Sequence, residues 1–220
     1  MKLIVLTDIH DHVLTIDRIG RELMEADLVL LAGDITTFGN ERDARKIIEA
    51  IRNYNQNLLA VPGNCDPPAV DFYLKELGIN LDNEWREIDG YFFWGLGGAL
   101  PAPGKTPNEL SEEQYELILK NLRLQIRQPE KLILLVHQPP FGTLADRLSD
   151  NQHVGSKALR RFVEEMQPLA YFTGHIHEGQ SIDYIGRTVI VNPGPLRIGG
   201  FAKVCLKGDA VEVGLGEKKD

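Results

Sequence analysis

The feature that most constrains this chain is a repeated unit: a short, nearly unbroken apolar run, a cluster of polar residues, then a stretch with helical spacing. Residues 2–7, Lys2-Leu3-Ile4-Val5-Leu6-Thr7, are the first such run, and 13–25 follow with helical spacing. Leu28-Val29-Leu30-Leu31 precedes a stretch over 41–52 in which Ala44, Ile47, Ile48 and Ile51 share one face, and Leu58-Leu59-Ala60-Val61 precedes another over 69–77. Apolar runs that do not alternate are strands buried on both faces, and strands separated by helices at this pitch are joined by right-handed crossovers into a parallel sheet. The chain therefore reads as α/β. Its length of 220 residues, with 43% hydrophobic and 25% charged side chains, suits a single domain over 1–220. No apolar run reaches the roughly 18 residues that a spanning helix needs, and Asp8 comes too early for a secretory signal. Two cysteines, Cys65 and Cys205, make no disulfide framework. The expectation is a cytoplasmic protein without a membrane partner.

Beyond the third unit the texture changes. Residues 85–96 are aromatic and strand-like around the turn signal Asp89-Gly90, and 95–107 hold too many glycines and prolines for regular structure, so a loop lining a site is expected. Ser111-Glu112-Glu113-Gln114 is a capping box opening a helix whose apolar stripe is Leu117, Ile118, Leu122 and Ile126. A buried strand is expected at 132–136, a polar loop at 138–154, a helix at 156–166, a strand at 169–173, and short strands with turns over 180–214.

The unusual polar residues fall just after the buried strands: Asp8 and His10, then Asp34, Asn64 and Asp66, His137, and finally His175 and His177. Ligands bind open α/β sheets in the crevice outside the carboxyl ends of the strands, so one rim collects all of these groups. Four of the six histidines lie at such ends. Asp8 and His10, like His175 and His177, are two residues apart, a spacing that shares a side in extended backbone, so each pair can serve one centre or two adjacent ones. Gly33, Gly63 and Gly174 each precede one of these residues and remove a Cβ where the chain turns and approaches closely. Asp8, His10, Asp34, Asn64, His137, His175 and His177 are seven donors, more than one catalytic ion takes from protein, and two ions are the simpler count. Asp34 is the bridging candidate, since a carboxylate can give one oxygen to each metal. Paired metals hold a bridging hydroxide and neutralise charge on a phosphoryl group attacked in line. Nitrogen and oxygen donors suit manganese, iron, zinc or nickel, and the sequence does not choose among them.

The formal charge of -8 and a pI near 5.3 oppose stable nucleic-acid binding, and a nuclease would need a basic groove that this balance does not advertise. A small phosphate ester drawn in by metal fits better. Nothing in the sequence sets an oligomeric state.

The ordered set Asp8-Ile9-His10, Gly33-Asp34, Gly63-Asn64-Cys65-Asp66, His137 and Gly174-His175-Ile176-His177 resembles the calcineurin-like metallophosphoesterases, and a subgroup of small bacterial and archaeal phosphodiesterases reads Asn-Cys-Asp at the third motif. The resemblance implies a four-layer α/β/β/α sandwich whose second sheet comes from the C-terminal strands. It also implies one metal on Asp8, His10, Asp34 and His177, a second on Asp34, Asn64, His137 and His175, and catalysis involving Asp34, Asn64 and His137. Many members have a histidine where this chain has Cys65, and a thiol is a poor donor to a leaving group. Cys65 is either a small loop residue or a substrate neighbour, and Asp66 is left to order its loop. His12 reads as the start of a helix; His153 and Arg147 lie in a loop that could overhang the metals, substrate-adjacent in the case of His153, but that reads first as solvated, and Arg197 could meet a phosphate, although turn chemistry accounts for its stretch without one. The function expected is metal-dependent phosphoester hydrolysis, diesters before monoesters. The alternative is a scaffold or binding module on the same fold, which would have lost donors.

Overall fold

The computed structural model describes residues 1–216. The first three units form as expected: β1 (Lys2–Leu6), β2 (Leu28–Ala32) and β3 (Leu58–Val61) are strands, and α3 (Glu41–Arg52) and α4 (Pro68–Glu76) are helices. The stretch expected as one helix over 13–25 is instead two short ones, α1 (Val13–Asp17) and α2 (Gly20–Glu25). The break falls at Arg18 and Ile19, and α2 opens on Gly20, where a Cβ would lie 2.6 Å from the Tyr54 ring. Glycine is a weak helix former, and here it lets the chain change direction beneath that ring.

The strands β4 (Trp85–Ile88) and β5 (Tyr91–Leu96) make the hairpin at Asp89-Gly90, so Gly95 and Leu96 belong to a strand and the loop begins only after them. Then follow α5 (Glu112–Arg123), β6 (Leu132–Val136), α6 (Lys157–Met166), β7 (Ala170–Phe172), β8 (Ser181–Ile185), β9 (Thr188–Asn192), β10 (Ala202–Lys207) and β11 (Ala210–Leu215). The capping boxes at Asn40 and Ser111 both close.

Two sheets result, ordered β11-β10-β1-β2-β3 and β4-β5-β6-β7-β9-β8. This corrects the expected origin of the second sheet. Of the C-terminal strands only β8 and β9 join it, whereas β10 runs antiparallel to β1 and extends the first sheet. The alternating burial of β10 marks a strand with one solvated face, and alternation alone does not say which sheet edge it extends.

The layers follow from which face each side chain takes. Ile4, Leu6, Val29 and Leu31 point outward to Ile16, Leu23, Ile47, Ile48 and Leu74 of α1–α4. Their neighbours Leu3, Val5, Leu30 and Ala32 point inward, against Phe93, Ile133, Leu135, Phe172 and Val191 of the second sheet. Trp94, Leu134 and Tyr171 cover its far side together with Tyr115, Leu119 and Phe162 of α5 and α6. The four-layer α/β/β/α sandwich is thus present. β1, β2 and β3 are parallel, as are β5, β6, β7 and β9, so the carboxyl ends within each sheet share one edge.

Leu30 is fully buried between the sheets. Leu30→Ala is expected to lower stability by about 2–5 kcal/mol, read as a shift of the urea midpoint at unchanged slope.

Candidate metal centre

Five loops at the strand ends bring the seven sequence-predicted donors together. The loop after β1 supplies Asp8 and His10, the loop after β2 Asp34, the loop after β3 Asn64, the residue after β6 His137, and the loop after β7 His175 and His177. Asp8, Asp34, Asn64 and His137 are buried, while the His10 and His177 side chains keep 15% and 32% exposure. The floor is dry and one wall faces solvent.

The geometry has two sides joined by one carboxylate. On one side the Nε2 atoms of His10 and His177 face each other at 3.3 Å, with Asp8 Oδ1 3.3 Å from His177 Nε2. On the other, the rings of His137 and His175 lie 5.2 Å apart and His137 Nε2 is 2.9 Å from Asn64 Oδ1. Asp34 stands between, with Oδ2 at 3.6 Å from His10 Nε2 and Oδ1 at 3.5 Å from His137 Nε2. His175 and His177 therefore diverge to opposite sides.

Asp8 Oδ1 is buried without a well-formed hydrogen bond, with the His177 ring nitrogen 3.3 Å away. A buried carboxylate oxygen without a donor is costly, and a cation placed among Asp8, His10 and His177 removes that cost. The ligand atoms of two further groups, Asp8-Asp34-His137 and His10-Asp34-Cys65, also lie within 4.8 Å of one another. The donor set fits divalent cations.

The loops are held in this arrangement against local preference. Asp8, His10, Asp34 and His175 all have φ between 46° and 67°, in the left-handed region. Such backbone costs roughly 1–2 kcal/mol per residue outside glycine, so the Asp8-Ile9-His10 segment is a coil rather than the extended pair that its spacing suggested. Two of the flanking glycines are forced by close approach. A Cβ on Gly63 would lie 2.0 Å from Asp34 Oδ1, and one on Gly174 would lie 1.8 Å from Thr7 Oγ1.

Two polar groups that the sequence did not single out, buried Asn192 and half-buried Asn108, help fix these loops. Asn192 donates to the carbonyls of Gly174 and Ile176, bracing the His175-His177 segment. Asn108 donates through its side chain to the Gly63 carbonyl and through its amide to that of Asn64, so the 97–111 loop clasps the third motif. Both are lone asparagines in breaker-rich sequence and carry no periodic signal. Asp66 orders its loop by accepting from the amides of Ile35, Thr36 and Gly63. Cys65 donates its amide to Asp34 Oδ1 and places its sulfur beside His10 and Asp34.

His153 is held by Asp146, 2.7 Å from its Nδ1, within a network that closes the 138–154 loop, and none of its hydrogen bonds reaches the seven donors. Arg197 is exposed in a one-turn helix after Pro195; the Asp8 carboxylate raises the His177 pKa, and the Arg197 charge offsets only part of that rise. His12 opens α1.

Electrostatics follow from this packing. Burial alone would lower the His137 pKa, but the Asp34 carboxylate overrides it and raises the imidazole to about 9. The His137 Nδ1 donates to the Ala32 carbonyl at 2.7 Å, which leaves Nε2 as the nitrogen facing the centre. Burial, then the charge of His137, pushes His175 down to about 4. Burial, then the Asp34 carboxylate, pushes the Cys65 thiol far above its ordinary value, so it stays protonated.

A family model for the calcineurin-like phosphoesterase superfamily domain matches residues 1–206, and the chain belongs to that superfamily. An uncharacterized protein of Methanocaldococcus jannaschii is 35% identical over 199 residues, covering 89% of this chain and 88% of that one. A probable glycerophosphodiester phosphodiesterase of Arcobacter nitrofigilis is 26% identical over 172 residues, 69% of this chain and 56% of that protein. The crystal structure of a Thermus thermophilus protein shares the fold with a TM-score of 0.77 at 18% identity, covering 97% of this chain and 98% of that one.

Two outcomes are expected. His137 is protonated below about pH 9 in the metal-free protein, and a metal on Nε2 displaces that proton. Manganese binding at pH 7–8 should then release at least one proton and tighten about tenfold per pH unit up to about pH 9. Titration calorimetry in buffers of different ionisation enthalpy reads this, and a heat independent of buffer refutes it. Gly174→Ala should cost about 2 kcal/mol or more and lose bound metal, since its Cβ collides with Thr7 and approaches Asp8.

Proposed function

We propose that the chain is a phosphodiesterase that uses two divalent cations, with manganese, iron, zinc and nickel as the candidates. The observation that supports this most is Asp34, whose two oxygens face two separate imidazole pairs. Asp8, His10 and His177 would hold one cation, Asn64, His137 and His175 the other, and Asp34 both. Bound there, the cations supply charge neutralisation at phosphorus and lower the pKa of water for attack.

The chain's own residues do the rest. Ala32 fixes the His137 ring, Thr7 and the His175 amide fix Asp8 through its Oδ2, and the Cys65 amide fixes Asp34. Asn64 presents its amide nitrogen on the side of Cys65, 3.5 Å from the sulfur, where it can donate to a phosphoryl oxygen. Hydrolysis adds water across one P–O bond and leaves a monoester and an alcohol, whose oxygen must gain a proton. A protonated thiol with a raised pKa is a weak acid for that step, which favours esters with good leaving groups. The preference for diesters rests on Cys65 and on similarity to the probable glycerophosphodiester phosphodiesterase.

The net charge of -8 supports a small substrate over nucleic acid, and two free cysteines suit a cytoplasmic setting. Among the described residues no helix is long and apolar enough to cross a membrane. A scaffold that had abandoned catalysis would have no need to keep seven donors together, four of them in strained backbone.

With manganese added, Asp34→Asn and Asp34→Ala should each lower kcat/KM for bis-p-nitrophenyl phosphate by about a hundredfold or more while circular dichroism stays unchanged. Turnover at the wild-type rate would remove Asp34 from its bridging role. Cys65→His should change the ratio of monoester to diester activity more than it changes metal affinity. Equal effects on both substrates would place position 65 outside the leaving-group path.

A further inference from the structure

Phe38 lies in the turn that follows Asp34, its backbone bonded to the Cys65 segment, in a conformation that a large side chain rarely adopts. Its φ is +56° and its side chain is 56% exposed, although a phenyl ring gains by burial and a Cβ is disfavoured at positive φ. Among the described residues no aromatic ring or cation stacks on it.

The backbone beneath the ring is tied to the centre on both sides. The Phe38 amide donates to the Cys65 carbonyl at 3.1 Å, and the Cys65 amide donates to Asp34 Oδ1 at 2.8 Å. The preceding residue, Thr37, donates its amide to Asp11 Oδ2 at 3.0 Å and places its hydroxyl 3.3 Å from His10 Nδ1. Gly39 then donates to the Thr36 hydroxyl, which itself bonds Asp66. The turn is thus fastened to the first and third motif loops, beside the partly open His10. A ring on a rigid turn is a preorganised contact surface that loses little freedom when it is covered. Phosphate recognition is assigned to other residues, so what remains for an aromatic face is the organic part of the ester. Planar aromatic groups stack on such a face, and for bases the gain is about 1–3 kcal/mol, equivalent to roughly five- to 150-fold in binding.

We propose that Phe38 determines specificity by stacking on a planar aromatic group, a nucleobase or an aryl ring, esterified to the phosphate that sits at the metal centre. The inference rests on the phosphodiester reading for its substrate class.

The test is binding, measured by calorimetry on the manganese-loaded full chain, so that it is separable from turnover. Phenylphosphonate should bind about tenfold more tightly than methylphosphonate. Phe38→Ala should bring that ratio close to one, Phe38→Tyr should keep it, and Phe38→Leu should lose most of it. Adenosine 5′-monophosphate against ribose 5-phosphate makes the second pair: the same dependence on Phe38 assigns a nucleobase, and dependence confined to the phenyl pair assigns a smaller aryl group. Phe38→Gly fits the positive φ without a Cβ, so it should raise Tm while losing the ratio, which separates the ring's role from folding. A wild-type ratio of one in both pairs, a ratio indifferent to Phe38→Ala, or full retention by Phe38→Leu overturns the proposal. Failure to bind any of these ligands overturns it together with the phosphodiester reading. A selective binder that hydrolyses no phosphodiester leaves the stacking role standing and removes the reading beneath it.

Discussion

Two carboxylates, Asp8 and Asp34, are buried side by side at the carboxyl ends of β1 and β2, and much of the local structure answers to that fact. A buried carboxylate is tolerated only where hydrogen bonds and positive charge surround it. Asp34 receives the Cys65 amide and faces His137 and His10, while Asp8 accepts from the Thr7 hydroxyl and the His175 amide through one oxygen and leaves the other bare. The burden is thus met in part by imidazoles and in part left on an unpaired acceptor, an arrangement suited to cations.

The same requirement explains the cost carried by the backbone. Parallel strands end along one edge, and their loops must turn back sharply to aim short side chains at a shared point. Four of the seven donors adopt left-handed φ, and the loops are pinned by Asp66, Asn108 and Asn192, each of which bonds backbone groups of a donor-bearing or adjoining segment. Phe38 belongs to the same strained rim, but its ring turns away from the core.

The residues that gather at the site were legible because their types are rare at strand ends and recur in order. The supporting groups were not. Asn108 and Asn192 act through single hydrogen bonds to carbonyls far away in sequence, and no periodicity or spacing marks such a partner. His153 lies in the loop after His137, and its hold on Asp146 is a contact no spacing in the sequence marked. The helix over 13–25 is interrupted at Arg18 and Ile19, just before Gly20 packs beneath Tyr54, and the apolar pattern runs on through that break without marking it.

Apolar runs in the sequence determined that β1, β2 and β3 would be buried strands linked by helices, since hydrophobic burial on both faces needs no knowledge of the partner. The order of motifs likewise determined which donors would gather at one rim. Only the tertiary structure decided that β10 pairs with β1 rather than extending the second sheet, that Asp146 holds His153, and that Asn108 and Asn192 brace the loops carrying the donors. Those outcomes depend on which edges and side chains meet across the fold, and contacts between residues distant in the chain leave no local pattern in it.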